Sequence, residues 1–433
     1  MENCGKRNGN VAAIATMFAL FFMIAFVTNF ASPMGVIAKN QFNASNALSQ
    51  LGNAANFIAY LFMGIPGGII LKRKGYKFTA LAAVAVGFAG VGVQLISGYV
   101  GSFAVYVLGA FIAGFSMCML NLVVNPMLNT LGGGGNKGNQ LVQFGCSLNS
   151  VGATLSPAVL GWLIGEITKD TAFIKAAPAL MIAMGIFALA FVIVAVSSIP
   201  EPHMETAEEK AARLSGGTSV FGDIAETLKF RHFTFGALAI FFYIVIEVGV
   251  PSMGMLYMTD CVKDAAGEIV SKGPGYVGGA VAGVVCGAYW FLMMVGRLLG
   301  GAVGGKISSR VQVTFLASFG IALLLAVMFS PVKMITVFGY SFPLSMAFMV
   351  VVGLCTSVMW GGIFNMAAEG LGKYVPVGSG IFMSMVFGGI LIPVQGLLAD
   401  KVGILASYWL SIGLLAYVLL YALVLSKPVK RAE

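Results

Sequence analysis

The sequence predicts an all-α integral membrane protein, with twelve transmembrane helices in two pseudo-symmetric six-helix bundles. Three observations carry that expectation. Apolar residues make up 59% of the 433 residues and charged residues only 9%, whereas soluble domains run at about 45–50% apolar and about 25% charged. Twelve runs are each long and apolar enough to cross a bilayer, which takes about 20 residues. One polar stretch divides those runs six and six. A mean hydropathy of +0.94 excludes a soluble enzyme, a nucleic-acid binder and a disordered scaffold.

In chain order, spans 1 to 6 lie near 11–32, 47–71, 78–99, 102–130, 139–165 and 175–198. Spans 7 to 12 lie near 233–258, 276–303, 311–330, 341–370, 375–399 and 404–426. Several contain Gly or Pro, which neighbouring helices make tolerable inside a membrane. The first run is long and lacks a small-residue cleavage site, so it reads as a span rather than a signal peptide. The polar stretch 199–232 has mixed charges and few apolar residues, and reads as a solvated linker with an amphipathic helical piece. The expected organisation is a bundle over 1–198, a cytoplasmic linker over 199–232 and a second bundle over 233–433.

Charge sets the orientation. Placing both termini inside puts 18 of the 25 Lys and Arg on the cytoplasmic side, the asymmetry that membrane insertion favours. The same asymmetry accounts for the net charge of +9 without nucleic acid. Short loops and the lack of eukaryotic sorting signals point to a bacterial inner membrane. No pair of the six cysteines has a metal-ligand spacing, and they read as small buried hydrophobes. The two histidines, His203 and His232, are too few and too badly placed for a metal cage or a catalytic triad.

The two halves repeat weakly. Asn125 precedes Leu131-Gly132 in span 4 as Asn365 precedes Leu371-Gly372 in span 10, and Gly152 precedes Pro157 as Gly388 precedes Pro393. Asn29 stands four before Pro33 in span 1, and Glu247 four before Pro251 in span 7. Matches in the same order argue for a parallel duplication, an arrangement that places a substrate site between the halves. Gly- and basic-rich loops follow spans 2 and 8, GIPGGIILKRKGYK and GRLLGGAVGGKISSR. Gly68, Arg73, Gly75 and Gly300 are assigned to gating and close helix approach. Arg297 is placed near the cytoplasmic end of span 8, holding an inner gate against a helix end or a carboxylate. No phosphate-cradling loop is present, so ATP is not expected to drive the protein.

Glu247 lies about 14 residues into span 7, where a charge costs roughly 2.5–3.5 kcal/mol. It reads as a substrate or coupling-ion ligand, against the alternative of a protonated or internally paired structural carboxylate. It could accept from vicinal sugar hydroxyls, bind sodium, or load a proton. The amides Asn29, Asn121, Asn125, Gln143, Asn149, Asn365 and Gln395 form a second set suited to neutral polyols, with helix–helix bonding the competing role for each. Tyr243, one turn before Glu247, and Trp360 are the aromatic candidates for stacking on a sugar.

The stretches IPGGIILKRKGYK (65–77), NLVVNPMLNTLG (121–132), SLNSVGATLSP (147–157), VGRLLG (295–300), IFNMAAEGLG (363–372) and GSGIFMSMVFGGILIPVQG (378–396) resemble the fucose/glucose–galactose permease family of the major facilitator superfamily. The resemblance implies the major facilitator fold and uptake of a monosaccharide, driven by protons or sodium, with no other cofactor. It also implies an acidic residue in span 1, where Ser32 stands, another four before the Asn-Pro pair, where Asn121 stands, and a Gln where Cys146 stands. Asn29, Asn125 and Asn149 keep the family's amides. Three options follow: Glu247 is the proton site, Glu247 and Ser32 help bind sodium, or the protein is an uncoupled facilitator. A cation-coupled symporter, working as a monomer, is the leading expectation. An exporter of apolar cations and a sugar sensor without net transport are the other classes, and no nucleophile–base constellation supports an enzyme.

Overall fold

The computed structural model describes residues 2–28, 51–164, 177–208, 210, 220–263 and 269–428. Asn29 and Ser32 therefore lie outside the described residues. Nine helices among the described residues are long and apolar enough to cross a membrane. The first of them, within Leu51–Val100, holds spans 2 and 3 together, split at Gly75. Span 1 has a shorter apolar helix, Val11–Val27, and span 5, Gly135–Ile164, is diluted by amides and hydroxyls. With these two and the split at Gly75, the twelve expected spans are all represented.

Gly75 turns the chain because it adopts φ 84° and ψ 176°, a conformation that a side chain would make strained. Two β-hairpins, absent from the all-helical expectation, occupy loops at the opposite end. Cys261–Lys263 pairs antiparallel with Ile269–Lys272, and Met334–Val337 with Tyr340–Pro343. Phe338 and Gly339, both at positive φ, make the two-residue turn of the second hairpin. The run near 341 thus starts as a strand, and its helix begins at Leu344.

Two spans are discontinuous near their middles. Span 10 comprises Leu344–Thr356 and Met359–Ala368, broken at Ser357–Val358. Span 11 runs Val375–Ser384, then a 3-10 stretch Met385–Leu391, then Ile392–Val402. A 3-10 stretch inside a helix often marks a hinge.

The first six and last six spans meet from the middle of the bundle to the end that carries Lys72, Lys137, Lys306 and Arg310, the basic face. There span 2 packs on span 11 through glycines. A Cβ on Gly64 would stand 2.6 Å from the Gly380 carbonyl oxygen, and one on Gly68 would stand 2.6 Å from that of Pro376. Small residues at these positions let the backbones touch. On the other side of the axis, span 5 packs on spans 8 and 10, with Gly301 against Phe144 and Gly304 against Gln140. A Cβ on Gly300 would run into Val358.

The linker is tied to the basic face. Glu201 accepts from the backbone N–H of Tyr76 and of Lys77, and the Tyr76 hydroxyl meets His203 Nδ1 at 2.8 Å. The helix Val220–Leu228 reaches Lys72 through Asp223, 2.8 Å away, and packs Thr227 near Gly378 of span 11. Within the basic loop the ion pair is thus made by Lys72. The Arg73 side chain is exposed.

Candidate functional site

A cavity of about 190 Å³ lies between the halves at mid-bundle. Span 1 contributes Phe21, Ile24 and Ala25, and span 2 contributes Tyr60. Asn121 comes from span 4, and Cys146 and Asn149 from span 5. The second half supplies Glu247, Arg297, Trp360 and Val386.

The electrostatic centre is an ion pair. Arg297 Nη2 donates to Glu247 Oε1 over 3.0 Å, and the two side chains are only 10% and 13% exposed. Arg297 also reaches into the first half, donating from Nη1 to Ser150 Oγ at 2.7 Å and to the Cys146 carbonyl at 3.4 Å. Its Nε donates to the Ser357 carbonyl at the break in span 10. A guanidinium carries five donors in a planar fork, so one side chain can bond three neighbouring spans. Two charges withdrawn from water are tolerated because they neutralise each other and are hydrogen-bonded besides.

Arg297 is set against a carboxylate, Glu247, but deeper than the cytoplasmic end of span 8. It lies about two helical turns before the end of its helix at Gly304, inside the central cavity. The positive-inside pattern favours a position nearer the cytoplasmic end of span 8. An arginine in the apolar run WFLMMVGRLLGG was the available signal, since a buried charge requires a partner and Glu247 was the one other charge at that depth.

A second network crosses the cavity wall. Trp360 Nε1 donates to Asn125 Oδ1 at 3.1 Å, Asn125 Nδ2 donates to the Asn121 carbonyl, and Asn121 Nδ2 donates to the Tyr60 hydroxyl at 3.0 Å. Asn149 donates to the Phe21 carbonyl, tying span 5 to span 1. Tyr289 donates to the Glu247 carbonyl and fixes the backbone of span 7 there. The Tyr243 hydroxyl is buried beside the Glu247–Arg297 pair, one turn before Glu247 on the same helix.

Of the residues singled out in the sequence, the structure brings Asn121, Asn149, Glu247 and Trp360 to the cavity surface. Asn125 and Tyr243 are fully buried behind it. Gln143 is buried between spans 5 and 10 and donates to the Val358 carbonyl. Asn365 lies instead on a second cavity of about 560 Å³ at the basic face, bonded to Asn129 and Ser309. Gln395 is buried away from the axis, donating to Ser411 beside Gly249. Tyr60 is not among the residues singled out in the sequence, because one tyrosine among 13 carries no distinguishing local pattern, and Cys146 is marked there only as the place where the resemblance implies a Gln. Among the described residues no group of His, Cys, Asp and Glu could hold a metal ion.

This architecture, two sets of six spans around one central polar cavity, defines a class of membrane transport proteins. Residues 15–392 match the model of the Major Facilitator Superfamily, and the chain belongs to that family. It is an integral membrane protein of a transporter family, not an enzyme. It is 26% identical over 418 residues to a glucose/galactose transporter of Brucella abortus, covering 96% of this chain and 94% of the relative. It is 27% identical over 435 residues to a putative glucose/galactose transporter of Helicobacter pylori, covering 96% and 98%. The crystal structure of the Escherichia coli fucose:proton symporter superposes with a TM-score of 0.79 at 17% identity, over 96% of this chain and 98% of that one, which shows the shared fold.

Proposed function

We propose that this chain imports a monosaccharide, a hexose or deoxyhexose such as glucose, galactose or fucose, by alternating access and in symport with a proton. The observation that carries the reading is the Glu247–Arg297 pair facing a cavity whose other polar groups are amides, a tyrosine and a tryptophan. Each sugar hydroxyl both donates and accepts, which Asn121, Asn149 and Tyr60 can match, and the Trp360 ring offers an apolar face. The names of the relatives support a sugar, and the fucose:proton symporter supports the proton.

A proton on Glu247 cancels the carboxylate charge and frees Arg297 to donate to sugar hydroxyls; loss of the proton restores the pair and expels the sugar. Sodium is the weaker candidate, because a cation beside Glu247 would stand next to a guanidinium already there. No cofactor is needed beyond the coupling ion. The bundles 1–198 and 233–433 rock about the cavity, joined by the linker 199–232, with Gly64, Gly68, Gly75 and Gly300 permitting the close approaches. The lysine and arginine asymmetry makes the basic face cytoplasmic, with both termini there. The described contacts then close the inner side, and the pose faces outward. The protein works as a monomer in a bacterial inner membrane.

The test is uptake of labelled glucose, galactose, fucose and N-acetylglucosamine into proteoliposomes under a proton gradient, a sodium gradient or none. Glu247→Gln should abolish accumulation and spare counterflow exchange. Intact accumulation in that variant overturns the coupling role. A second reading, an uncoupled sugar facilitator, is favoured by one observation: Asn121 is neutral, lines the cavity, and stands where the resemblance implies an acid. Saturable entry that never exceeds equilibrium selects it.

A further inference from the structure

Three buried polar atoms without partners gather at one place in the closed gate. Asn139 in span 5 is fully buried, and neither its Nδ2 nor its Oδ1 has a hydrogen-bond partner. Gln143, one turn on, is fully buried too; its Nε2 donates to the Val358 carbonyl at 2.9 Å, and its Oε1 has no partner. Both amides face Gly361 of span 10, where a Cβ would stand 2.8 Å from Gln143 Nε2 and 3.3 Å from Asn139 Oδ1. The missing side chain leaves them room.

These amides lie between two polar regions. On the cavity side, Ser357 and Val358 are consecutive residues at the break in span 10. The Ser357 carbonyl accepts from Arg297 and the Val358 carbonyl from Gln143. Arg297 in turn holds Glu247. On the other side Asn136, one turn before Asn139, lines the basic-face cavity with Asn129, Arg310 and Asn365. Polar groups thus run along span 5 from that cavity to the ion pair, through a seam that is otherwise packed.

An unmet buried donor or acceptor costs about 1–3 kcal/mol, so groups of this kind are normally bonded. The orphaned set holds both acceptors and a donor. Water satisfies both and is held by two to four such partners, whereas a metal cation would be repelled by the Asn139 amide hydrogens. We propose that Asn139 and Gln143 hold buried water between span 5 and the break in span 10, and that this water carries the coupling proton between Glu247 and the basic-face cavity while the gate stays shut to sugar. The transport role rests on the reading of Glu247 as the proton site. In that step the Glu247 O–H bond breaks and the proton passes to water. A proton leaves at the basic-face cavity, and the carboxylate pairs again with Arg297. The amides align the water and stay neutral throughout.

Radiolytic hydroxyl labelling of the full chain, with an 18O-water chase, tests the water site without reference to transport. Met359, next to the Val358 carbonyl that Gln143 bonds, is 0% exposed and should take up slowly exchanging label in the unaltered protein. Asn139→Leu should reduce that label about tenfold, and no labelling of Met359 in the unaltered protein overturns the site. For the proton role, galactose-driven proton movement is read with a pH dye sealed inside proteoliposomes. Asn139→Leu and Gln143→Met should slow it about tenfold with counterflow of labelled galactose within about twofold, and Asn139→Ser should restore it. Equal loss of proton movement and counterflow would overturn the conduit and make the amides structural. Labelled water with no galactose-linked proton movement in the unaltered protein would overturn the proton reading of Glu247, and the conduit with it, while the water site stands.

Discussion

Along the seam between spans 2 and 11 the two halves meet backbone to backbone, whereas between spans 4 and 5 and spans 8 and 10 they meet through buried polar side chains. In the first seam Gly64 and Gly68 lie against Gly380 and the Pro376 carbonyl. Apart from the Ser384 hydroxyl beside Gly64, the groups in contact are backbone and move only with the helices themselves. In the second, Arg297, Gln143 and Trp360 reach across to Ser150, Val358 and Asn125. Each of those bonds can be broken and remade by a proton, a water molecule or a sugar hydroxyl. The first seam is suited to sensing fit, and the second to sensing chemistry.

The largest expected effect falls on the polar seam. Arg297→Met or Glu247→Ala leaves a buried charge alone, and each should lower stability by about 3–5 kcal/mol. Combining Arg297→Met with Glu247→Gln removes both charges and should recover most of that loss. Thermal unfolding of the purified chain in detergent measures all of these. Single variants that cost under about 1 kcal/mol, the range of an exposed pair, would mean that the seam is not held by its ion pair.

Next comes a matched pair of glycine changes. In Gly64→Ala the new methyl meets the Ser384 hydroxyl, which can rotate, and also the Gly380 carbonyl oxygen and the Ser384 backbone nitrogen, which cannot move alone. Overpacking of this kind costs about 1–3 kcal/mol and should part spans 2 and 11 at the basic face, lengthening spin-label distances between them. In Gly361→Ala the methyl meets the end of the Gln143 side chain, which can swing aside, so the distances should stay put. Equal opening by both variants would erase the difference between the seams.

A smaller effect tests whether one polar bond in the second seam matters alone. Trp360→Phe keeps an aromatic face toward the cavity but leaves Asn125 Oδ1 without its donor. The loss should be about 1 kcal/mol in thermal unfolding, with sugar affinity little changed. A large loss of affinity would move the indole N–H from the wall into the binding site.

The membrane architecture was legible because it rests on run length, apolar content and charge asymmetry, and none of these needs side-chain orientation. Glu247 was legible for a related reason: a charge at mid-span is costly wherever it points. Asn365 and Gln395 show where that reasoning stops. An amide in a span needs partners, yet Asn365 finds them at the basic-face cavity and Gln395 donates to Ser411, both away from the central site. Which face of a helix an amide occupies depends on packing among several apolar neighbours, and the spans carry apolar residues on every side. The depth of Arg297 was less legible, because basic residues beside a Gly-rich loop follow the same pattern whether they face water or a carboxylate. The break at Ser357–Val358, which presents its carbonyls to Arg297 and Gln143, falls in a stretch, CTSVMW, that holds neither Gly nor Pro.

The glycine seam continues into the loop that Gly75 turns, and there it acquires a titratable group. Tyr76 is fully buried, and its hydroxyl meets His203 Nδ1 at 2.8 Å, beside the two backbone N–H bonds to Glu201. Burial lowers the affinity of His203 for a proton below its usual value of 6.5. The folded clamp therefore binds a proton less readily than the released linker does. Its stabilisation is fully present above pH 6.5 and declines as the pH falls from there toward the lowered value. A protonated Nδ1 can no longer accept from Tyr76. Hydrogen exchange of the 72–79 segment, corrected for intrinsic rates, should thus be faster at about pH 5.5 than at about pH 7.5. His203→Gln keeps an acceptor without a titration and should flatten that dependence while leaving the exchange of Gly361 and its neighbours unchanged. Acid loosening that persists in His203→Gln would shift the effect to another group on the basic face. Acid loosening of both seams together would show that the clamp and the polar seam open as one unit.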